Sequence, residues 1–223
     1  MSLTHLGIIA DGNRRWAKSQ GLSKIEGHKA GLETIEEIIA AASQTDIQYI
    51  TFYVFSTENW GREESEVSNI MKLAETRILK LAEKMAKNNV RLIILGAHDR
   101  VSQKLAEEIA KAEAVTANCT GLTACFCFNY GGEQEIADAA TEATLAGEEI
   151  TPTTIRAHLY HPEIPDVDMV VRTSGEERIS GFMLWRVAYA EFLFLEKYFP
   201  EMTGEDISRI ITEYEKRSRR FGK

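Results

Sequence analysis

Short, continuous apolar runs alternate with longer amphipathic stretches along this chain. Because strands buried on both faces of a sheet read as continuous apolar runs, these runs predict strands. Five are clear and a sixth candidate is shorter: Leu6–Ala10, Tyr49–Phe55, Arg91–Gly96, Leu122–Tyr130, Met169–Thr173 and Phe192–Leu195. The alternation predicts an α/β fold with a mostly parallel central sheet flanked by helices.

Five stretches between or after these runs carry apolar residues at helical spacing. They lie at Ile35–Ala42, Val67–Met85, Val101–Ala112, Ile136–Ala143 and Ile207–Tyr214. Such stripes usually face a core. Thr151-Pro152 indicates a further helix start. No internal repeat or low-complexity linker divides the sequence, so we expect residues 1–223 to form a single domain.

Charge and cysteine content exclude several kinds of protein. The formal net charge of −8 argues against nucleic-acid binding, which needs a basic footprint. Cys125 and Cys127 alternate within an apolar run, which predicts buried strand positions rather than a metal site and fits a reduced, cytoplasmic setting. The apolar runs are far shorter than the ~20 residues of a membrane span, so we expect a soluble or at most peripheral protein.

Polar motifs follow the predicted strands, where open α/β sheets bind their ligands. After the first strand comes Asp11-Gly12-Asn13-Arg14-Arg15-Trp16. Gly12 allows close approach to a ligand, and the following helix start offers amide groups to an anion. Arg14 and Arg15 suit phosphate oxygens, and Asp11 suits magnesium. A plain Asp-Gly turn with solvated arginines explains the same residues equally well.

Two more motifs follow later strands. The segment 56–62, Ser-Thr-Glu-Asn-Trp-Gly-Arg, could line a site or simply cap a helix. Segment 172–180 places two arginines and two serines around a glycine, which favours an anion pocket over surface salt bridging. Glu191 lies among apolar residues and needs either a metal-linked role or a buried salt bridge.

Taken in order, these motifs resemble the cis-prenyltransferase family over nearly the whole chain. The resemblance rests on segments 11–17, 27–31, 55–60, 129–132, 172–176 with 178–180, 184–185 and 188–191. Lys24 stands where the family often has arginine. Glu177 and Gly181 also depart from common family residues. Phe128 is bulkier and Ala74 smaller than the residues of some long-chain members, and because these two changes act in opposite directions they leave product length open.

The resemblance implies a role for each matching residue. Asp11 would be catalytic and bind Mg²⁺, with Glu191 as a second metal residue, and Asn59 with Ser56 would orient the reacting groups. The allylic diphosphate would be bound by Gly12, Asn13, Arg14, Arg15 and His28, and isopentenyl diphosphate by Arg172, Arg178 and Ser180. Trp16, Lys24, Glu58, Trp60 and Arg62 complete the substrate-binding candidates.

The family resemblance also implies a reaction. Isopentenyl diphosphate would condense onto an allylic diphosphate such as farnesyl diphosphate, giving a poly-cis-prenyl diphosphate such as undecaprenyl diphosphate, a lipid-carrier precursor. The Val67–Met85 stripe would wall a hydrophobic tunnel for the prenyl chain, opposite Val54, Cys125, Cys127 and Phe128. A short-chain Z-prenyl diphosphate synthase and a non-catalytic subunit of a heteromeric prenyltransferase are the alternatives.

The resemblance further implies a homodimer. Arg220-Phe221-Gly222 would then reach into the partner's site. The product would leave through a peripheral membrane contact, without an integral membrane segment.

Overall fold

Six parallel strands form the sheet of the computed structural model, which describes residues 2–97 and 99–217. They are β1 (His5–Ile9), β2 (Tyr49–Ser56), β3 (Arg91–Leu95), β4 (Thr123–Tyr130), β5 (Met169–Arg172) and β6 (Glu191–Phe194). Their order is β3-β4-β2-β1-β5-β6, and every neighbouring pair is parallel. Each strand begins and ends within one residue of its prediction, and the α/β fold is confirmed.

The helices between the strands are α1 (Asn13–Ser19), α2 (Lys24–Ala42), α3 (Glu64–Lys87), α4 (Gln103–Thr116), α5 (Gly132–Leu145), α6 (Pro152–His158) and α7 (Gly204–Glu215), with 3₁₀ helices at Thr57–Gly61 and Phe199–Glu201. Four of the five apolar stripes lie entirely within helices, and the Val101–Ala112 stripe is helical only from Gln103 onward. Helix α2 begins eleven residues before its stripe, at a capping box in which Ser23 and Glu26 satisfy each other's backbone N–H groups.

The two faces of the sheet have separate cores. On one face, α2, α3 and α7 pack on Ile50 and Phe52. On the other, the segment around Phe182 packs on Cys125 and Cys127. The buried positions of both cysteines are confirmed, but their place in the tunnel wall is wrong. Residues alternate between the faces of a strand, so both cysteines point away from α3.

A buried ion pair supports the second face. Arg186 Nη1 donates to Glu135 Oε1 at 2.7 Å, and neither side chain is exposed. Tyr130 donates its hydroxyl to the other carboxylate oxygen of Glu135, and Arg186 also donates to the carbonyl of Tyr160. Both carboxylate oxygens of Glu135 and both terminal nitrogens of Arg186 are therefore hydrogen-bonded, while Arg186 Nε is buried without a partner among the described residues.

Strands β2, β1 and β5 are neighbours, which decides where the polar motifs meet. Ile9 pairs with Tyr53 on one side and with Arg172 on the other. The segments that follow these three strands therefore lie together at one edge of the sheet. None of the described helices is long and apolar enough to cross a membrane.

Candidate active site

Asp11 lies just beyond β1 and is the central carboxylate of the site. Its Oδ2 accepts a hydrogen bond from Arg172 Nη2 at 2.9 Å, and its Oδ1 accepts the Gly12 N–H at 2.6 Å. Arg15 Nη2 lies 3.4 Å from Oδ1. Partial burial alone would raise the pKa of Asp11, but the hydrogen bond and charge of Arg172, together with Arg15, lower it below its usual value. Asp11 is therefore ionised at neutral pH.

The backbone at Gly12 explains why this motif needs glycine. Gly12 has φ 100, a left-handed conformation that side chains rarely adopt. A Cβ atom there would lie 2.6 Å from the Tyr198 ring and 3.0 Å from Ser174 Cβ. The chain can therefore turn from Asp11 into α1 only without a side chain.

Arg172 is buried and anchors the segment that follows β5. Its Nη1 donates to Ser180 Oγ at 2.8 Å and to the carbonyl of Arg178. Glu176 in turn binds both Arg15 and Arg178. The salt bridging expected as the alternative is thus present, and it holds the arginines at the edge of the sheet.

The segment after β2 approaches from the opposite side. Ser56 donates its backbone N–H to Asn59 Oδ1 at 3.2 Å, where the 3₁₀ helix Thr57–Gly61 begins. Ser56, Asn59 and Arg62 all face the same cavity as Asp11. The segment is therefore a helix start, as its alternative interpretation predicted, and also part of the cavity wall.

Together these segments enclose a cavity of about 380 Å³, here called the polar cavity. Of the predicted site residues, the structure brings twelve to its wall: Asp11, Gly12, Asn13, Arg14, Arg15, His28, Ser56, Asn59, Arg62, Arg172, Arg178 and Ser180. Five arginines and His28 facing one ionised carboxylate make a site suited to highly charged anions.

Glu66, on the first turn of α3, is a site-supporting residue that the sequence reasoning missed. It is 5% exposed and lies 3.1 Å from Arg62, 3.4 Å from Lys24, 3.6 Å from His28 and 3.7 Å from Arg14. Burial alone would raise the pKa of Glu66, but Arg14 and Arg62 lower it overall. Burial, with Arg62 nearby, lowers the pKa of His28, which is therefore neutral at pH 7. Glu66 orders cations that would otherwise repel one another.

A signal for Glu66 existed in the sequence but was not specific. Glu63, Glu64 and Glu66 precede the apolar stripe, and all three look like acidic residues of a first helical turn. Only Glu66 is four residues from Arg62 and directly before buried Val67. The fold, rather than the residue type, distinguishes the three.

An apolar cavity of about 140 Å³ leads away from the polar cavity. The two share Ala10, Asn13, His28 and Val54 in their walls. The apolar cavity runs between α2, α3 and the sheet, past Ile70, Ala74, Ile78, Leu81, Ile94, Phe126 and Phe128. The α3 stripe thus walls a cavity as predicted, with Phe126 and Ile94 in the places expected for the two cysteines.

Four predicted substrate-binding residues do not line the polar cavity. Lys24 binds Glu63 and Glu66, and Trp60 donates its indole N–H to Asn129 Oδ1 at 2.7 Å. Glu58 accepts a hydrogen bond from the neighbouring Thr57, and Trp16 lies half-buried on α1. Lys24 and Trp60 therefore act on the cavity only through the residues they contact.

Glu191 requires a correction. It is the first residue of β6 and, through the pairing of β6 with β5 and of β5 with β1, is level with Leu6. Asp11 lies five residues further along β1, about 16 Å away at the rise of a strand. Glu191 instead pairs with Arg217 at 3.2 Å. Within one chain, Asp11 and Glu191 therefore cannot bind the same ion.

The donor set can be compared with the needs of a magnesium ion. The described residues contain no group of three or more His, Cys, Asp or Glu side chains placed to hold a metal. Mg²⁺ in phosphate-handling sites is commonly bound through one or two carboxylates plus substrate phosphates and water. Asp11 is an ionised carboxylate on the polar cavity, so the residues fit an ion that arrives with a phosphorylated substrate.

Comparisons with known proteins agree with this geometry. The family described as "Putative undecaprenyl diphosphate synthase" matches residues 9–222. An isoprenyl transferase of Rickettsia bellii is 42% identical over 100% of this chain and 99% of its own length. The farnesyl-diphosphate-specific ditrans,polycis-undecaprenyl-diphosphate synthase of Vibrio vulnificus is 43% identical over 98% of this chain and 90% of its own.

Two solved structures have the same fold. Lavandulyl diphosphate synthase from Lavandula x intermedia, in complex with dimethylallyl diphosphate, superimposes with a TM-score of 0.94 at 30% identity, covering 99% of this chain and 98% of that one. A probable undecaprenyl diphosphate synthase from Campylobacter jejuni gives 0.87 at 32% identity, covering both chains fully. Family match, full-length relatives and fold agree, and the chain belongs to the undecaprenyl diphosphate synthase family of cis-prenyltransferases.

Proposed function

We propose that this enzyme condenses isopentenyl diphosphate onto an allylic diphosphate, farnesyl diphosphate in the first instance, and repeats the step to give undecaprenyl diphosphate. The observation that carries the proposal is the junction of the two cavities. An arginine-lined polar cavity opens, at Asn13 and His28, into an apolar one. An allylic diphosphate has the same two parts, a charged head and an apolar tail.

The junction also supports an assignment of the two substrates. A prenyl tail in the apolar cavity places its diphosphate beside Asn13, His28 and Arg14, which lie at or next to the junction. Isopentenyl diphosphate then takes the far side, where Arg172, Arg178 and Ser180 are linked by hydrogen bonds.

The reaction breaks the allylic C–O bond, whose electron pair leaves with the diphosphate. The isopentenyl double bond attacks the allylic carbon, and loss of a proton from the isopentenyl unit leaves a new cis double bond. Arg14 and Arg15 stabilise the charge that develops on the leaving diphosphate, because fixed donors in a partly buried site cost no reorganisation. Asn59 and Ser56 orient the reacting groups from the opposite wall.

Asp11 has two tasks in this scheme. It holds Arg172 in place, and its carboxylate would hold a Mg²⁺ ion that arrives with the substrate diphosphates. When bound, Mg²⁺ neutralises charge on the diphosphate oxygens. Glu191 stays outside this set within one chain.

We also propose a cytoplasmic homodimer of single-domain chains with peripheral membrane contact during product release. The half-buried strand β6 and the 76% exposed Tyr189 before it support an interface at that end of the sheet. The segment Arg220-Phe221-Gly222, predicted to reach a partner's site, lies outside the described residues.

A short-chain Z-prenyl diphosphate synthase is the second candidate, favoured by the aromatic lining of the apolar cavity. Phe126 and Phe128 face α3 and leave about 140 Å³. A non-catalytic subunit has no such support, because Asp11 and the arginines line one cavity.

The test is incubation with dimethylallyl, geranyl or farnesyl diphosphate, labelled isopentenyl diphosphate and Mg²⁺, followed by sizing of the products. We expect undecaprenyl-length product from farnesyl diphosphate and none when EDTA removes the metal. Products that stop after one or two additions would favour the second candidate. No elongation of any primer would exclude both.

Phe128→Ala tests whether this wall limits the product, with Cys127→Ala as its control on the opposite face of β4. We expect longer products from Phe128→Ala only.

A further inference from the structure

Asn129, near the end of β4, joins two loops beside the polar cavity without lining it. Its backbone has φ 50, in the left-handed region, and the residue is 1% exposed. Asparagine is among the few side chains found in this region, but glycine adopts it more easily. The backbone alone therefore does not call for asparagine, and the side-chain contacts do.

Each polar atom of the Asn129 amide is used. Its Oδ1 accepts the Trp60 indole N–H at 2.7 Å, and its Nδ2 donates to the carbonyls of Ala97 at 2.8 Å and Asp99 at 2.7 Å. An indole N–H can only donate and a carbonyl can only accept, so only one orientation of the amide satisfies all three bonds. The side chain thus links the connection between β3 and α4 to the 3₁₀ helix Thr57–Gly61.

That 3₁₀ helix carries Asn59, and Arg62 follows it; both line the polar cavity. A 3₁₀ helix of five residues has few internal hydrogen bonds, so its position depends on what its side chains contact. The Trp60 ring packs edge-on against Phe55, with centroids 5.4 Å apart, and its N–H is held by Asn129.

The residues after Asn129 hold the other end of the same 3₁₀ helix. A Cβ atom on Gly131 would lie 2.6 Å from Thr57 Oγ1, so glycine leaves room for the Thr57 side chain to pack against this turn. Gly132 donates its N–H to the carbonyl of Gly181, next to Ser180. The turn between β4 and α5 therefore braces both walls of the polar cavity.

We propose that Asn129 is a positioning residue for prenyl transfer, which fixes Trp60 and thereby sets Asn59 and Arg62 opposite Asp11. The inference rests on the proposed function, because Asn59 and Arg62 matter to the reaction only if the polar cavity binds the diphosphates.

A double-mutant cycle tests the link. Asn129→Ala and Trp60→Phe each remove the same hydrogen bond, so each should lower kcat by about tenfold at a temperature where the protein stays folded. The double variant should lose little more than the worse single variant, because one shared interaction can be lost only once. Fully additive losses, or wild-type kcat in Asn129→Ala, would overturn the proposal.

Asn89→Ala is the matched control. Asn89 also has a positive φ, 55, and its side chain also bonds a neighbouring loop, accepting the Thr120 N–H at 2.9 Å. It lies beyond α3, away from the polar cavity. Asn89 is exposed, whereas Asn129 is buried. We expect unchanged kcat and KM in Asn89→Ala, which would show that losing an asparagine bond to a loop does not by itself lower turnover.

Spectra of protein labelled with ¹⁵N-tryptophan separate this inference from the proposed function. Trp60→Phe identifies the Trp60 indole N–H signal, and Asn129→Ala should shift that signal and speed its exchange with solvent. An unmoved Trp60 signal would refute the positioning role even in an active enzyme. If the wild type elongates no primer, the proposed function fails, and the spectra still decide whether Asn129 holds Trp60.

Discussion

Substitution of Gly27 by alanine should reduce activity even where the protein stays folded. Gly27 lies in α2 against the start of α1, and a Cβ atom there would stand 2.3 Å from the backbone oxygen of Asn13 and 2.9 Å from Ala17 Cβ. Arg14 and Arg15 follow Asn13 directly, so a methyl group on α2 pushes on the part of α1 that carries both arginines.

The size of the displacement follows from the contact distance. Cβ atoms essentially never approach other atoms within 3.0 Å, and most stay beyond 3.4 Å. The Asn13 oxygen must therefore retreat by about 0.7–1.1 Å. Overpacking of this kind costs about 1–3 kcal/mol of folding free energy. A shift near 1 Å in a positioning element can cost on the order of 100-fold in rate, so we expect kcat/KM to fall roughly 10- to 100-fold.

The assay is steady-state incorporation of labelled isopentenyl diphosphate, with thermal unfolding followed by circular dichroism. Gly21→Ala is the control, since Gly21 sits between α1 and α2 with open space around it and φ +69. Its strain should cost about 1 kcal/mol, or about 2–4 °C in Tm, without moving α1. If Gly27→Ala matches the activity of Gly21→Ala within twofold, the reasoning about helix displacement is wrong.

Three further predictions concern charges. Asp11→Asn keeps the shape but removes the charge opposite Arg172, and kcat should fall on the order of 100-fold or more in a protein that still folds, with a lower Tm because buried Arg172 loses its counter-charge. Near-normal turnover would contradict the role of Asp11. Burial lowers the pKa of His5 to about 4, so below pH 6.5 the unfolded chain binds a proton that the folded chain does not. The contribution of His5 to stability is therefore full above pH 6.5 and falls by about 1.4 kcal/mol per pH unit towards pH 4. The urea midpoints measured at pH 7 and pH 5 should differ less in His5→Gln than in the wild type. An equal difference in both proteins would refute the assignment. Glu135→Gln leaves Arg186 buried without a counter-charge and should lower the free energy of unfolding, measured with urea, by about 3–5 kcal/mol. The double variant Glu135→Gln/Arg186→Met should recover much of this loss. Additive losses in the double variant would contradict the pairing.

The strands were predictable because a parallel sheet covered by helices on both faces produces continuous apolar runs bounded by polar residues in the sequence. Helix α3 was equally plain, with its apolar stripe. The first half of α2 was not, because Gly27 and Gly31 interrupt any stripe. Both glycines face α1, where a side chain would meet Asn13, so packing rather than periodicity decides their identity.

The residues of the candidate site were predictable where a polar motif directly follows a predicted strand, and less so elsewhere. Glu191 directly precedes a predicted strand, so it lies at the amino end of that strand. Ligands of parallel sheets bind beyond the carboxyl ends, so the sequence alone already argued against a place for Glu191 beside Asp11. Cys127 and Phe128 are neighbours on one strand and must face opposite sides of the sheet. Strand alternation therefore also shows that the two residues cannot line the same tunnel. Glu66 differs, because its spacing from Arg62 is too weak a signal to single it out from Glu63 and Glu64. The meeting of α3 with α1 and α2 makes Glu66 the buried one.

The division between the two cavities has a consequence for how such enzymes diversify. Segments that follow strands, including the first turn of α1, build most of the charged half, whereas the bodies of α3 and β4 build much of the apolar half. Only four of the described wall residues belong to both. Substitutions at Ala74 or Phe128 therefore act far from the arginines and should combine with changes there almost independently. A lineage can therefore change the length of its lipid product by single substitutions, each of which keeps an active enzyme. The same separation lets a protein engineer adjust product length without altering the charged half of the site.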